Sequence, residues 1–362
     1  PDLSQEQILK LRFIARKTWR YFEDFVGSVD NWLPPDNHQE EPPVGTAHRT
    51  SPTNIGLYLT SVLAARDLGY IGTLEAVERF ERTIATMERM ERYKGHFYNW
   101  YNTCTLQPCK PRLISSVDSG NLVGYLIVIK QGINDLLTRP MVGREMLLGL
   151  RDTCAVYKNG TPREKQLEKM ISMLLDKDRM GLIEWNNILQ YAKNNMKSAD
   201  RNILPFIREI EELIPWLTLL VGMPGELRGQ NGNGSEAAAK LNNLIDKLDG
   251  SFSIKWMLDN YSYILDVLSE VMIAFRQKRN SGMNHKRIME WLKECELAIA
   301  KSHASIKAFA NRCSQLNSRI ERLIRETDFK AVYDSKMELF SVGYDIERDR
   351  LIKSYYDLLA SE

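Results

Sequence analysis

At 362 residues, 43% hydrophobic and 27% charged, the chain is long enough for one large domain or about two ordinary ones, with a substantial core. A formal charge of +2 excludes a global basic field for nucleic acid, and leaves "FRQKRNSGMNHKR" (Phe275 to Arg287) as a local cluster that reads as a solvated interhelical loop. No apolar run reaches the roughly 20 residues that span a bilayer, "LVGYLIVI" (Leu122 to Ile129) being too short, so no membrane span is expected.

In chain order, "SQEQILKLRFIARKTWRYFEDFV" places Ile8, Leu11, Ile14 or Ala15, Trp19, Phe22 and Phe25 at helical spacing behind a Ser4 N-cap, which predicts a helix packed by its aromatic side. The following stretch carries Pro34, Pro35, Pro42 and Pro43 without periodicity and reads as an extended loop in which Trp32 needs a surface to lie on. Ser51 to Ile71 then starts with a Ser cap and a proline in the first turn and ends at Gly69. Thr73 to Tyr93 follows with Leu74, Val77, Phe80 or Ile84, Met87 and Met90 on one stripe, so the two segments predict an αα-hairpin.

Between that hairpin and the next helix lies "RYKGHFYNWYNTCTLQPCKPRLISSV", a connection too long and too aromatic for an ordinary disordered linker. The helix after it runs over Asp118 to Leu137, and "PTNIGLYL" and "SGNLVGYL" form a weak internal repeat that matches Asn54 with Asn121 and Tyr58 with Tyr125. Inner helices that each follow a long loop are the pattern of a toroid of αα-hairpins, whose loops would gather at one end and build a cleft. A coincidence of two helix starts is the competing reading.

The character changes from about residue 139. "TPREKQLEKMISMLLDK" has Thr161 as N-cap, Pro162 at the first helical position and Glu164 completing a capping box. Residues 223–236 read as a flexible linker. From His285 to Arg325 the series Ile288, Leu292, Cys295, Ile299, Ser302, Ile306, Phe309, Cys313, Leu316, Ile320 and Leu323 alternates by four and three, a heptad seam. The block 139–327 therefore predicts an inserted helical bundle or coiled-coil arm. A short β-hairpin is expected near residues 336–352, and "SYYDLLASE" begins another helix.

Cys104, Cys109, Cys154, Cys295 and Cys313 form no CxxC and lie near no histidine at ligand spacing, and no phosphate loop or nucleophile motif is visible. No metal and no cofactor is expected. What remains is carboxylates near aromatics, a combination that suits carbohydrate, because aromatic faces stack on sugar C–H faces while amides and carboxylates bind hydroxyls. His96, Phe97, Tyr98, Asn99, Trp100, Tyr101, Asn102 and Asn121 are the candidate substrate contacts, against the plainer reading that the aromatics pack the loop onto helix ends. Asp118 is a candidate too, with an N-cap role as its competitor.

"GHFYNWYNT", "ISSVDSGNLVGYL", "TDFKAVYDSKMELFSVGYD" and "SYYDLLASE", with "AHRTSPTNIGLYL", resemble the glycoamylase-like central region of cyclic β-1,2-glucan synthases, the transglycosylating glycoside hydrolase family 189. The resemblance implies an all-α fold, the N-terminal part of an (α/α)6 barrel, with residues 1–138 as its first helices and substrate-side loops and 328–362 as the return into it. It implies no cofactor, linear β-1,2-glucan as substrate, and a bacterial synthase at the cytoplasmic side of the inner membrane with glucosyltransferase and phosphorylase-like parts as partners. Carried over by motif, Glu362 is the expected catalytic carboxylate, and Asp118 binds sugar hydroxyls or orients a catalytic group. The family's second catalytic Glu and later barrel helices have no counterpart here, so the chain alone is expected to be incomplete and inactive. Hydrolysis by an endo-β-1,2-glucanase, or a helical scaffold without chemistry, are the alternatives.

Overall fold

The computed structural model describes residues 3–157, 161–196, 200–227, 236–250, 252–277 and 283–355. The expected final helix, with Glu362, lies outside the described residues, as do the centres of the expected linker and of the basic stretch. The described chain is predominantly helical, as expected. Its helices are α1 (Gln5–Phe25), α2 (Pro52–Asp67), α3 (Thr73–Arg89), α4 (Ser116–Thr138), α5 (Arg144–Val156), α6 (Pro162–Leu175), α7 (Leu182–Asn195), α8 (Asp200–Leu213), α9 (Leu217–Val221), α10 (Glu236–Leu248), α11 (Ile254–Asp259), α12 (Tyr261–Gln277) and α13 (Met283–Glu326). The strands are only two or three residues long: β1 (His38–Gln39), β2 (Gly45–Thr46), β3 (Arg49–Thr50), β4 (Arg92–Tyr93), β5 (His96–Phe97), β6 (Tyr101–Asn102), β7 (Leu113–Ser115), β8 (Tyr333–Asp334), β9 (Leu339–Phe340), β10 (Gly343–Asp345) and β11 (Arg350–Leu351).

Two compact units divide the chain: residues 1–66, 75–133 and 313–362 form the first, and 67–74 with 134–312 the second. In the first, Ser4 closes a capping box with Gln7 at the start of α1. Only the second half of that helix is well packed. Trp19 is buried and Phe22 meets Tyr58 at 5.2 Å between ring centroids, whereas Leu9, Leu11, Phe13 and Ile14 are exposed, contrary to a stripe buried along the whole helix. A buried pair, Arg16 with Glu23 at 2.9 Å, lies between these halves and keeps both charges hydrogen-bonded.

The α2–α4 pair is the frame of this unit. A Cβ at Gly56 would stand 2.1 Å from the Tyr125 ring, and one at Gly132 would stand 2.6 Å from Leu63. Both pairs are 69 residues apart and ascend together, so the two helices pack closely in parallel, with their N-termini at the same end. The weak repeat seen in the sequence thus corresponds to two neighbouring helices. The predicted apolar stripe of α3 is buried throughout, from Leu74 to Met90. Glu88 near the end of α3 accepts from Arg319 and Arg322 at 2.7 and 2.6 Å, which ties it to the last turns of α13.

The expected C-terminal hairpin is two hairpins. Strand β8 pairs with β9, and β10 with β11; β10 also pairs antiparallel with β7, Tyr344 opposite Ile114. This non-local pairing lays the second hairpin against the entry to α4.

In the second unit, α5 to α8 pack in succession and α10 packs on α12. The predicted heptad seam of α13 is buried throughout, Ile288 to Phe309 in this unit and Cys313 to Leu323 in the first, and the single hydroxyl within it, Ser302, donates to the Leu213 carbonyl at 2.6 Å. At 44 residues that helix is about 66 Å long. The expected linker keeps one short turn at Gly225–Leu227 with Leu227 buried.

Candidate functional site

Hydroxyl caps start both frame helices. Ser51 accepts from the Asn54 N–H at 3.1 Å, and Ser115 accepts from the Asp118 N–H at 3.1 Å. This corrects the N-cap reading of Asp118: α4 begins two residues earlier than expected, Ser115 is the cap, and the Asp118 carboxylate is left to accept from the Thr53 hydroxyl at 2.5 Å. Two helix N-termini therefore present their partial positive ends beside one another, linked by Thr53 and Asp118.

Around them the proline-rich loop is held by side-chain contacts. Trp32 finds its surface under Arg82, whose guanidinium lies 4.3 Å from the ring centroid. Asp36 accepts from Arg49 at 3.0 and 3.2 Å through one oxygen and from Asn54 at 3.2 Å through the other. The Arg49 guanidinium in turn lies 4.7 Å from the Trp100 ring centroid. Pairing of β3 with β6, Thr50 opposite Tyr101, brings these segments together. Tyr21 closes the rear of the loop by donating to the Pro35 carbonyl at 2.8 Å; burial, then the charges of Asp36 and Asp30, push its phenol up to about 12.

Of the residues predicted from sequence, the structure separates two groups. His96, Phe97, Tyr98 and Tyr101 are buried, none more than 4% exposed. His96 donates from Nε2 to the Asp328 carbonyl and accepts at Nδ1 from the Ser119 hydroxyl, both at 2.9 Å, and its burial lowers its pKa. Such an imidazole is neutral, has both ring nitrogens engaged and braces α4 against the segment after α13. Tyr101 donates to the Glu91 carbonyl at 2.6 Å and accepts from the Tyr98 N–H at 2.8 Å, while Tyr98 donates to the Glu91 carboxylate at 3.0 Å. These rings pack the loop, which was the plainer reading of the sequence. Asn99 and Trp100 are half-buried, Asp118 is half-buried and Asn121 is exposed one turn beyond it.

The remaining group, Asn99, Trp100, Asp118 and Asn121, joins four residues that sequence reasoning left without a role: Asp36, Arg49, Thr53 and Asn54. Only Asn54 had a signal, its place in the repeat. The ensemble offers an aromatic face, two carboxylates, a guanidinium and amides at adjacent helix ends, which are groups that bind sugar rings and hydroxyls. A separate groove of about 490 Å³ follows the second C-terminal hairpin, lined by Pro111, Leu113, Arg348, Arg350 and Lys353 among others.

Residues 13–130, which include all of this face, match the family described as "Protein of unknown function (DUF3131)". Over 99% of its own length the chain is 32% identical to the cyclic beta-(1,2)-glucan synthase NdvB of Rhizobium meliloti (strain 1021). The chain is similar, nearly end to end, to one segment of that synthase. It spans about 11% of the length of this curated relative. Among solved structures, a putative glucoamylase from Bacteroides fragilis NCTC 9343 is 22% identical with a TM-score of 0.32, covering 45% of this chain and 40% of that one. An endo-beta-1,2-glucanase from Chitinophaga pinensis, in complex with sophorotriose and glucose, is 12% identical with a TM-score of 0.32, covering 90% and 99%. Similarity at that level carries no argument about this chain.

Proposed function

We propose that the chain is part of a glycoside hydrolase-type enzyme that acts on β-1,2-glucan. Within its full-length protein this region closes linear glucan into rings. The observation that carries the reading is the 32% identity to a cyclic β-(1,2)-glucan synthase across 99% of the chain. The helix-end face supports it by supplying groups suited to sugar. On this reading Trp100 stacks on a glucosyl ring, Asn99, Asn121 and Asp118 bind hydroxyls, and the parallel pair α2 and α4 are inner helices of an (α/α)6 barrel into which the 134–312 block is inserted.

Glu362 is the proposed nucleophile. Its carboxylate would attack the anomeric carbon, the departing hydroxyl taking a proton from a second carboxyl group about 5 Å away across the bond. The 2-hydroxyl of the glucan's own non-reducing end would then displace Glu362, losing its proton to that same second group. The product is a ring, and no cofactor takes part. The second carboxyl group and the glucosyltransferase and phosphorylase-like partners belong to the larger synthase, placed by this reading at the cytoplasmic side of a bacterial inner membrane. No described helix is itself long and apolar enough to cross a membrane.

The test is mass spectrometry of products from linear β-1,2-glucan treated with the full-length protein and with its Glu362→Gln variant. Products lighter than linear glucans by one water, resistant to an exo-glucosidase and missing with the variant, are expected. Shorter linear products would make the enzyme a hydrolase, and unchanged glucan would refute the substrate.

A further inference from the structure

In the first unit, three residues distant in sequence converge. One donor atom each from Asp30, His48 and Cys104 lies within 4.8 Å of the other two. They come from the Ser28–Asp30 turn, from the residue ahead of β3 and from the loop after β6.

Each is held by bonds outside the trio. The His48 carbonyl accepts from the Thr103 N–H at 3.0 Å. The Cys104 N–H donates to the Asn102 side chain at 3.0 Å, and its carbonyl accepts from the Asn31 amide at 3.0 Å. Asp30 is 4% exposed, its carboxylate taking the Thr103 hydroxyl and, at 2.8 Å, the His48 Nδ1, whereas His48 and Cys104 are exposed. The cluster therefore has a buried carboxylate floor and an open rim through which an ion can enter.

Chemistry narrows what the cluster suits. A thiol–imidazole–carboxylate relay would string the groups in a line, with sulfur on the far ring nitrogen and remote from the carboxylate. These three instead form a compact triangle. One sulfur, one nitrogen and one oxygen donor make a borderline-soft set, which fits zinc and not the all-oxygen shells of calcium or magnesium. Tetrahedral zinc places neighbouring ligand atoms roughly 3.3–3.8 Å apart. Small side-chain shifts reach that spacing from the observed triangle, and three protein ligands leave a fourth position for water.

We propose that Asp30, His48 and Cys104 form a zinc site that pins the loop after β6 to the Ser28–Asp30 turn. Binding exchanges the His48–Asp30 hydrogen bond for two metal bonds, the Nδ1 proton of that bond leaving through solvent while Nε2 keeps or takes up a proton so that the ring is neutral, and it passes the Cys104 thiol proton to solvent. The same loop supports Trp100, whose carbonyl accepts from the Cys109 N–H at 2.8 Å. The metal would thus stiffen the rim of the helix-end face, and the site stands whether or not that face binds glucan.

The test is titration of chelator-treated, reduced protein with Co²⁺ and then Zn²⁺, followed by absorption spectroscopy and thermal unfolding. A single equivalent of Co²⁺ is expected, with tetrahedral d–d bands and a thiolate-to-cobalt charge-transfer band, displaced by Zn²⁺. Cys104→Ser, at an exposed position, should fold normally, lose the charge-transfer band and bind at least about 10–100-fold more weakly, and His48→Ala should weaken binding similarly while keeping the sulfur band at saturating Co²⁺. Cys109→Ser should keep both the band and the affinity. Zn²⁺ should raise the melting temperature of the parent and not of Cys104→Ser. Binding no tighter than about 100 μM, or a charge-transfer band that survives Cys104→Ser, would overturn the assignment.

Discussion

Replacing His96 by Phe separates the two roles the sequence allowed it. The substitution keeps a ring against Phe329, now 5.3 Å away in an edge-on arrangement, but deletes the bonds to Ser119 and to the Asp328 carbonyl. Each buried group left without a partner costs about 1–3 kcal/mol. The Ser119 hydroxyl can turn back to a carbonyl of its own helix and the Asp328 carbonyl keeps the Ala331 N–H at 3.0 Å, so neither is left unpaired and the expected total is the net worth of two hydrogen bonds, about 1–3 kcal/mol. Urea denaturation followed by tryptophan fluorescence reads this loss. The pH dependence supplies a second signature. Because burial holds the folded-state pKa of His96 below its unfolded value of about 6.5, the unfolded chain binds the extra proton in that window. Parental stability should therefore fall as pH drops below about 6.5, with a slope of up to about 1.4 kcal/mol per pH unit from this group, and His96→Phe should lack that component. A variant within about 0.5 kcal/mol of the parent, or one with an unchanged pH profile, would refute the bracing role.

Three further expectations follow from the same geometry. Gly56→Val should overpack α2 against α4 and cost about 1–3 kcal/mol or more by denaturation, with partial rescue when Tyr125→Ala is added, since the new side chain would occupy the Tyr125 ring's space. Glu88→Ala should cost about 0.5–1 kcal/mol at low salt and less at high salt, because the carboxylate with its two arginines is partly solvated. The bond to Arg319 comes first among the causes that hold the Glu88 pKa below its usual 4.5, so its contribution is complete above that value and is lost as pH falls through the folded-state pKa. Trp100→Ala should leave the melting temperature within a few degrees and weaken binding of β-1,2-glucan oligosaccharides by about 5–30-fold in calorimetry, the equivalent of about 1–2 kcal/mol.

Periodic features were legible in the sequence because periodicity alone decides which face is buried. The stripe from Leu74 to Met90 and the seam from Ile288 to Leu323 are both fully buried. Local capping was legible at Ser4 and Thr161, where both partners of the box lie within three residues. At α4 the same reasoning offered Asp118 as a cap beside its role as a substrate contact, because an acidic residue ahead of an apolar run resembles a cap; the real cap, Ser115, ends a strand whose partner Gly343 is far away in sequence. Distance in sequence also hid the Asp36, Arg49 and Trp100 cluster and the convergence of Asp30, His48 and Cys104, since each needs the loop to fold first. Aromatic density correctly marked an ordered connection, but it could not say which rings face inward. His96 and Tyr101 turned inward because each could satisfy its polar atoms there, through Ser119, Asp328 and Glu91.

The most direct measurement of the central claim is hydrogen-exchange mass spectrometry of the protein with and without β-1,2-glucan oligosaccharides, with β-1,3-linked oligosaccharides as control. Added protection is expected in peptides covering residues 28–37, 48–54, 98–102 and 113–121, from the β-1,2 ligand alone. Protection confined to the groove beside β10 and β11 or to the 134–312 block, or no protection at saturating ligand, would contradict it.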